Sequence, residues 1–483
     1  MNTEKSHSLD RLFYPRSIAV VGASTSNNSQ VFGGNSPILG SIKQNFNGHI
    51  YPINPKAERI LGYKAYPSVR DVPGEVDLVI FTIPVSAVEQ VMEDCAAKKV
   101  KFVHLYTAGF SETGREELIA IENRITQLAG RSGTRIIGPN CMGLYCPEGG
   151  LAWSDMFPHI SGSIGLFSQS GQLANHFIDQ GIRLGLRYSK VVSYGNASDL
   201  QASDFLDYLG QDEKTRIIGA YIEGLKDGRD FFETARKVTG QKTLVVFKGG
   251  QTEGGSRATS SHTAAIAGSP RVWRGLCRQA GIIPVESKEE FIHTLSALNG
   301  LSLPKNRNVV VFGGAGGGSV TMTDMAERTG LKVPLFPKKT IEKMETMMPI
   351  AGHSLKNPID FVPAFFNRDF MMEIISVVKD ELNLGAMIVY IFTPGPVPGN
   401  LMNMGAKGVD MFCRNMTEAK EKLGKPMVFV LERDTDVIRS NLMSDLEKRF
   451  REAGLMVFPT FDLAAKALVN LNRYQKFLLT QQR

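Results

Sequence analysis

The sequence predicts an α/β protein of about three domains, each built on a parallel sheet that is covered by helices. Short apolar runs that end in glycine, proline or hydroxyl residues recur along the chain, and helical stretches separate them. This alternation is typical of doubly wound parallel sheets. The chain has 483 residues, which is too many for one core, since a domain has roughly 100–200 residues.

Composition and charge favour an ordinary globular protein that acts on small molecules. The sequence is 42% hydrophobic and 21% charged, and its net charge of +7 comes from scattered basic residues. This pattern argues against nucleic-acid binding and is compatible with anionic small molecules. Five cysteines without a CxxC pair predict no zinc site and a reducing, cytoplasmic location. We expect no signal peptide, no membrane span and no metal site on this chain.

The first third of the chain contains a predicted half-sheet of the nucleotide-binding type. Its predicted strands lie at 17–21, 49–56, 76–84, 101–107 and 135–141. The first strand ends at Gly22, but Ser24 and Asn27 stand where a dinucleotide fingerprint has glycine, so a nicotinamide site is disfavoured. Because ligands bind at the carboxyl ends of such strands, Lys56 lies where it can meet a phosphate. A solvated surface lysine is the alternative.

The middle third predicts a second α/β unit, and two of its strands end in candidate functional residues. Its predicted strands lie at 162–167, 188–193, 216–222 and 243–247. Ser168-Gln-Ser-Gly171 precedes a helix, whose first N–H groups can bind a phosphate. The turn lacks the glycine spacing of a hydrolase nucleophile elbow. Glu223 ends another strand, where a carboxylate can orient an imidazole; a solvated glutamate is the alternative.

The stretch 248–268 is the strongest candidate for chemistry. It follows a buried strand, breaks into glycines and hydroxyls, presents His262 and resumes as a small-residue helix. A glycine-rich loop between a strand and a helix is a common phosphate-binding device. We therefore interpret His262 as a nucleophile that carries a phosphoryl group. A histidine that only caps or packs in the loop is the alternative.

The last third predicts another β/α unit after a polar linker at 303–308. Its predicted strands lie at 309–312, 386–392, 426–430 and 455–458. The turn at 313–318 is rich in glycine but lacks the Gly-Lys-Ser/Thr ending of a P-loop. We assign no catalytic residue to this unit.

Motifs along nearly the whole chain resemble those of the α subunits of ADP-forming (NDP-forming) acyl-CoA synthetases, which are relatives of the succinyl-CoA synthetase α subunit. The motifs are Val-Gly-Ala-Ser24, Tyr-Pro-Ile-Asn-Pro-Lys56, Ala-Gly-Phe-Ser-Glu112, Ile-Ile-Gly-Pro-Asn-Cys-Met-Gly143, Ser168-Gln-Ser-Gly171, Tyr221-Ile-Glu223 and Ser261-His-Thr-Ala-Ala-Ile-Ala-Gly268. The resemblance implies three doubly wound domains. They are a Rossmann-like CoA-binding domain over 1–145 and two flavodoxin-like domains of the succinyl-CoA synthetase type over 146–302 and 303–483.

The resemblance also implies roles for individual residues. Those expected to bind CoA are Gly22, Ala23, Ser24 and Lys56 at the phosphates, Thr82, Ile83 and Pro84 at the adenine side, and Asn140 and Cys141 at the thiol end. Cys141 is expected to form a pocket wall and not to act as a catalytic thiol. His262 is the implied phosphohistidine, and Glu223 is its implied hydrogen-bonding partner. The implied phosphate site consists of Ser168, Ser170 and Gly171.

The implied activity is that of an acid–thiol ligase. It converts an acid, CoA and ATP reversibly to acyl-CoA, ADP and phosphate, through an acyl phosphate and phosphohistidine. No ATP-grasp module is evident, so ATP or ADP and Mg²⁺ are expected on a separately encoded β subunit. Two departures from the family pattern, Ala264 for glycine and Gly318 for proline, keep open a CoA-binding regulatory or scaffold protein without turnover.

Overall fold

The computed structural model describes residues 7–24, 35–263, 269–314, 316–346, 354–360, 365, 367–381, 383–391, 405–432 and 436–481; for 35–37, 260–263 and 405–406 it describes the backbone only. The chain divides into two compact units, Met1–Lys288 and Glu289–Arg483. None of the helices in the described ranges combines the length and the apolar character that a bilayer crossing requires.

The first sheet of the first unit is parallel and buried, as the apolar strand runs predict. Its strands are β1 (Ser17–Val21), β2 (His49–Ile53), β5 (Leu78–Phe81), β6 (Phe102–Leu105) and β7 (Arg135–Ile137), and a separate hairpin pairs β3 (Arg59–Ile60) with β4 (Tyr63–Lys64). The helices are α1 (Asp10–Phe13), α2 (Asn35–Asn45), α3 (Val85–Lys98) and α4 (Glu116–Ser132), with 3-10 turns at Val69–Asp71 and Ser111–Thr113. The strand order β2-β1-β5-β6-β7 reverses at β1, and ligands bind at such reversals.

The second sheet of the first unit has one antiparallel edge strand. Its strands are β8 (Gly143–Tyr145), β9 (Ile164–Ser168), β10 (Tyr188–Ser193), β11 (Ile217–Ile222), β12 (Thr243–Lys248) and β13 (Ile283–Val285). Its helices are α5 (Gly171–Arg183), α6 (Ala202–Gln211), α7 (Gly228–Thr239), α8 (Glu253–Thr263) and α9 (Pro270–Ala280). The order β13-β12-β11-β9-β10-β8 reverses at β9, so a second ligand crevice is expected between the ends of β9 and β11.

Helix α8 differs from the sequence prediction, which placed a loop before His262. The helix already begins at Glu253, so His262 lies in the last turn of the helix. The physical reason is a cap: the Thr252 hydroxyl accepts a hydrogen bond from the Gly255 amide at 3.1 Å. Such a cap, with a glutamate in the first turn, offsets the poor helix propensity of the glycines. The side chain of His262 and all of Ala264 lie outside the described residues.

The second unit contains the third sheet. Its strands are β14 (Val309–Gly313), β15 (Ser354–Leu355), β16 (Ile359–Asp360), β17 (Ala386–Ile391), β18 (Met427–Leu431) and β19 (Met456–Phe458), in the order β15-β16-β14-β17-β18-β19. Its helices are α10 (Lys288–Gly300), α11 (Gly317–Thr329), α12 (Lys338–Glu345), α13 (Arg368–Val378), α14 (Gly405–Leu423), α15 (Val437–Glu452) and α16 (Phe461–Gln481). Gly318 lies in the first turn of α11, where an added Cβ would meet no described atom within 4 Å. Packing therefore leaves room for a side chain at position 318, where the family pattern has proline.

Candidate active site

The loops predicted for CoA lie side by side at the carboxyl edge of the first sheet. Gly22 follows β1 with φ of +86°, and a Cβ there would lie 2.7 Å from the Thr82 carbonyl oxygen and 2.8 Å from Ile83 Cγ2. Glycine alone permits this backbone conformation together with this close approach. The resulting crevice lies where the strand order reverses, which is the expected place for a ligand in such a sheet.

Asn54 ties two of these loops together, although sequence reasoning did not select it. Its side-chain amide donates to the Ala23 carbonyl oxygen at 2.8 Å and accepts from the Lys56 backbone N–H at 2.8 Å. Lys56 is exposed, and its side chain extends from this fixed backbone. Asn54 therefore holds the backbone of Lys56 beside the loop after β1, where the sequence analysis expects a phosphate. The signal was available, since Asn54 stands within the motif that was quoted for Lys56.

Thr107 connects the loop predicted for adenine to the residues predicted for the thiol end. Its hydroxyl donates to the Ile83 carbonyl oxygen at 2.7 Å, and its own carbonyl oxygen accepts from the Asn140 amide at 2.9 Å. The Asn140 side chain in turn donates to Asn196 Oδ1 at 3.4 Å. Because Asn196 follows β10, these hydrogen bonds join the carboxyl edges of the two sheets.

Cys141 forms part of a wall and has the properties of an unreactive thiol. It is buried, its Sγ lies 3.6 Å from the Leu105 carbonyl oxygen, and burial raises its pKa well above the usual range. The neighbouring His104 is also buried, and burial lowers its pKa to about 4. A neutral imidazole beside a protonated thiol does not make a nucleophilic pair.

A cavity of about 300 Å³, here called the first cavity, brings the thiol-end residues to the predicted phosphate turn. It is lined by Tyr106, Ala108, Asn140, Cys141, Met142, Gln169, Ser170, Gly171, Gln172 and Gly195. Ser170 is the N-cap of α5 and accepts from the Leu173 amide at 3.3 Å. Ser168 is fully buried, and its hydroxyl donates to the Ser170 carbonyl oxygen at 2.7 Å. Ser168 therefore shapes the turn, while Ser170 and Gly171 face the cavity.

Glu223 is buried beside this turn, at the end of β11. Its Oε1 accepts a hydrogen bond from the Tyr221 hydroxyl at 3.1 Å, and burial and the Glu223 carboxylate raise the pKa of Tyr221 well above its usual range. The Glu223 amide donates to Gln169 Oε1, and the Gly224 amide donates to the same oxygen at 2.9 Å. Gln169 thus holds the loop of Glu223 against the phosphate turn.

Lys248, the last residue of β12, binds the backbone of Glu223. Its Nζ donates to the carbonyl oxygens of Glu223 at 2.6 Å and of Gly249 at 2.7 Å. Burial lowers the pKa of this ammonium group to about 8, although the Glu223 carboxylate opposes the shift. Sequence reasoning missed both Gln169 and Lys248, because nothing local marks a side chain that binds the backbone of a distant strand.

Replacement of Gln169 by leucine is expected to lower the free energy of unfolding of the first unit by about 2–4 kcal/mol, because two buried N–H groups lose their acceptor. Chemical denaturation measures this change. Gln90→Leu, on the exposed face of α3, is the matched control and is expected to have little effect. Equal stabilities for the two variants would contradict a role for Gln169 in holding the Glu223 loop.

Helix α8 lies against the 3-10 turn Ser111–Thr113 of the CoA-binding region. The backbone that carries His262 therefore belongs to a helix that packs against the segment after β6. The imidazole of His262 lies outside the described residues, so its hydrogen bond to Glu223 stays a prediction. Among the residues that the structure does describe, no group of histidine, cysteine, aspartate and glutamate is arranged to hold a metal ion.

Comparison with known proteins identifies the family. Residues 16–147 match the model of a CoA binding domain, and residues 161–298 match that of a succinyl-CoA ligase like flavodoxin domain. The chain is 33% identical over 441 residues to the α subunit of ADP-forming acetate–CoA ligase II from Pyrococcus furiosus, covering 91% of this chain and 94% of the relative. This chain belongs to the ADP-forming acyl-CoA ligase family.

Further ligases of this family agree with the assignment. ADP-forming acetate–CoA ligase II from Archaeoglobus fulgidus is 34% identical over 476 residues, which cover 96% of this chain and 67% of that longer protein. Acetyl-coenzyme A synthetase 1 from Ca. Korarchaeum cryptofilum, solved with phosphate and ADP, superposes with a TM-score of 0.82 at 29% identity, covering 98% of this chain and 99% of that one. The resemblance, the α/β fold and the ligase class are confirmed, and a scaffold without turnover is not favoured.

Proposed function

We propose that this ligase chain binds CoA and a carboxylic acid and passes a phosphoryl group between nucleotide and acid on His262. The observation that supports the proposal best is the first cavity, where Asn140 and Cys141 at the thiol end meet the phosphate turn at Gly171. Buried Glu223 adjoins this turn through Gln169. A thioester carbonyl and a phosphate would therefore meet within one cleft.

The proposed reaction has three balanced steps. His262 attacks the terminal phosphorus of ATP, so that an N–P bond forms as the P–O bond to ADP breaks. A carboxylate oxygen of the acid then attacks that phosphorus, which releases the imidazole and gives an acyl phosphate. Finally the thiol of CoA gives up its proton and its sulfur attacks the acyl carbon. A C–S bond forms as the C–O bond to phosphate breaks, and the released phosphate takes up the proton.

The residues of this chain supply charge and position for these steps. The N–H groups at the start of α5 and its macrodipole stabilise phosphate oxygens beside Gly171. The Glu223 carboxylate stabilises the positive charge that phosphorylation places on an imidazole. The loops around Gly22 and Lys56 hold the phosphates of CoA, so that its thiol reaches Asn140.

The nucleotide and Mg²⁺ are proposed to bind a separate ATP-grasp β subunit. Two relatives support this division: the Pyrococcus furiosus protein is named as an α subunit, and the longer Archaeoglobus fulgidus protein extends beyond the part that this chain matches. ATP-grasp residues would then be supplied by a second chain or by a fused segment.

The direct test is reconstitution with ATP-grasp partner proteins, with ADP formation measured across a panel of carboxylic acids. Formation of ADP that requires both CoA and one acid is the expected result. CoA binding without turnover in any combination would favour the scaffold alternative. Titration of the purified chain with CoA and with NAD checks the ligand class, and preference for NAD would overturn the proposal.

Replacement of Glu223 by glutamine is expected to slow phosphoryl transfer about 10- to 100-fold, because the amide keeps the shape but lacks the charge that favours the phosphorylated imidazole. Rapid-quench labelling with ATP and the partner measures the rate. Glu213→Gln, at an exposed position before β11, is the control. An unchanged rate in Glu223→Gln, with normal CoA binding, would remove Glu223 from the mechanism.

A further inference from the structure

The side chain of Met142 lies against the phosphate turn, and Met142 belongs to the lining of the first cavity. A Cβ added at Gly171, the first residue of α5, would lie 2.6 Å from Met142 Cγ and 3.5 Å from its Sδ. The thioether therefore packs directly on the residue whose N–H group is proposed to bind phosphate. Sequence reasoning passed over Met142, although it stands within the motif that was quoted for Asn140 and Cys141.

The backbone at Met142 is fixed, so that only its side chain can adapt to a ligand. The Met142 amide donates to the Ser193 hydroxyl oxygen at 3.1 Å. The next residue, Gly143, has φ of +87°, and a Cβ there would overlap the buried imidazole of His104. Methionine is a flexible side chain that fills irregular gaps, and here it fills the gap between this fixed backbone and Gly171.

A second cavity, of about 20 Å³, shares Met142 with the first cavity and is otherwise lined by apolar and aromatic side chains and by His104. The apolar and aromatic side chains include those of Ile38, Ile80, Leu144 and Trp153. Burial lowers the pKa of His104 to about 4, so this imidazole is neutral. The second cavity has room for about one water-sized group and offers surroundings that suit an alkyl chain.

We propose that Met142 sets the maximum length of the acyl chain that the ligase accepts. This inference rests on the proposed function, because it takes the acyl phosphate to form at the phosphate turn. When the phosphate of that intermediate binds the N–H group of Gly171, the acyl carbon is one bridging oxygen away from the phosphorus and lies beside the Met142 side chain. The chain that extends from this carbon then meets the thioether, since the residues of the turn that line the first cavity, Gln169, Ser170 and Gln172, are polar.

Truncation of Met142 to alanine removes Cγ, Sδ and Cε, which are the atoms that fill the gap over Gly171. The space that they leave adjoins the second cavity, because Met142 lines both cavities. A longer alkyl chain can then bury its methylene groups there, and each buried methylene strengthens binding by roughly fourfold. An acetyl group has no methylene to bury, so the truncation favours long chains over short ones.

Calorimetric titration of the purified chain with acetyl-CoA, butanoyl-CoA and hexanoyl-CoA tests this inference without turnover. The wild type is expected to bind hexanoyl-CoA at least about tenfold more weakly than acetyl-CoA, because the longer chain meets Met142. In Met142→Ala the affinity for hexanoyl-CoA should rise about tenfold or more. Met142→Phe, which fills more of the first cavity, should weaken butanoyl-CoA about tenfold relative to acetyl-CoA, and this test does not depend on the folding of the truncated variant.

Leu144→Ala is the matched control, because of the two cavities Leu144 lines the second. It removes a similar volume and leaves Met142 in place, so its chain-length preference should match that of the wild type. An unchanged preference in Met142→Ala, or an equal shift in Leu144→Ala, would overturn the inference. So would a wild type that binds hexanoyl-CoA as tightly as acetyl-CoA.

The same titrations separate this inference from the proposed function. If the reconstituted complex converts no acid while the chain binds acyl-CoA, the proposed function fails, and the binding preferences still decide the role of Met142. If the chain binds none of the three thioesters, both are refuted.

Discussion

Replacement of His262 by alanine is expected to abolish labelling of the protein by the terminal phosphate of ATP and to reduce acyl-CoA formation to background. The imidazole is the proposed acceptor of the phosphoryl group, and a methyl group offers no nucleophile in its place. Loss of a covalent nucleophile removes the main route and leaves only what binding supplies, a fall of at least about a thousandfold. Incubation with radiolabelled ATP, Mg²⁺ and the ATP-grasp partner measures the label directly.

The chemistry of the label provides a second readout. A phosphohistidine is labile in acid and stable in base, whereas a phosphoserine or phosphothreonine from the neighbouring hydroxyl residues shows the opposite behaviour. His159→Ala, at an exposed position before β9, should label as the wild type does. Retained labelling in His262→Ala would refute the assignment, even if acyl-CoA formation were lost.

Replacement of Gly22 by valine is expected to weaken CoA binding by about 100-fold or more. The backbone at Gly22 has φ of +86°, and a Cβ would lie 2.7 Å from the Thr82 carbonyl oxygen, which is a backbone atom with little freedom to move. A β-branched side chain is strained in this conformation and forces the loops after β1 and β5 apart. Since both loops are predicted to contact CoA, one substitution disturbs the phosphate side and the adenine side together.

Calorimetric titration with CoA measures this loss, and circular dichroism reports whether the variant is folded. Gly185→Val is the matched control, because Gly185 has φ of +80° but a Cβ there would meet no described atom within 4 Å. The control carries the backbone strain without the clash and should retain CoA binding. A folded Gly22→Val protein that binds CoA as tightly as the wild type would contradict the proposed site.

Much of the fold follows from local patterns in the sequence. Apolar runs such as Ser17–Val21 and Ile217–Ile222 form strands at the predicted positions, because strands buried on both faces need continuous apolar residues. The sequence prediction was wrong at 253–263, where an N-terminal cap at Thr252 starts a helix despite two glycines. The loops that follow these strands were located because parallel strands bring their carboxyl ends to one edge.

The amino-acid order is sufficient to assign the α/β class, the family resemblance and the residue types at the strand ends. Which of those residues meet depends on the packed structure. Gln169 reaches the amide of Glu223 across 54 positions, and Lys248 reaches its carbonyl oxygen across 25. Sequence periodicity reports only which face a residue occupies, whereas these contacts depend on the order and register of strands that are distant in the chain.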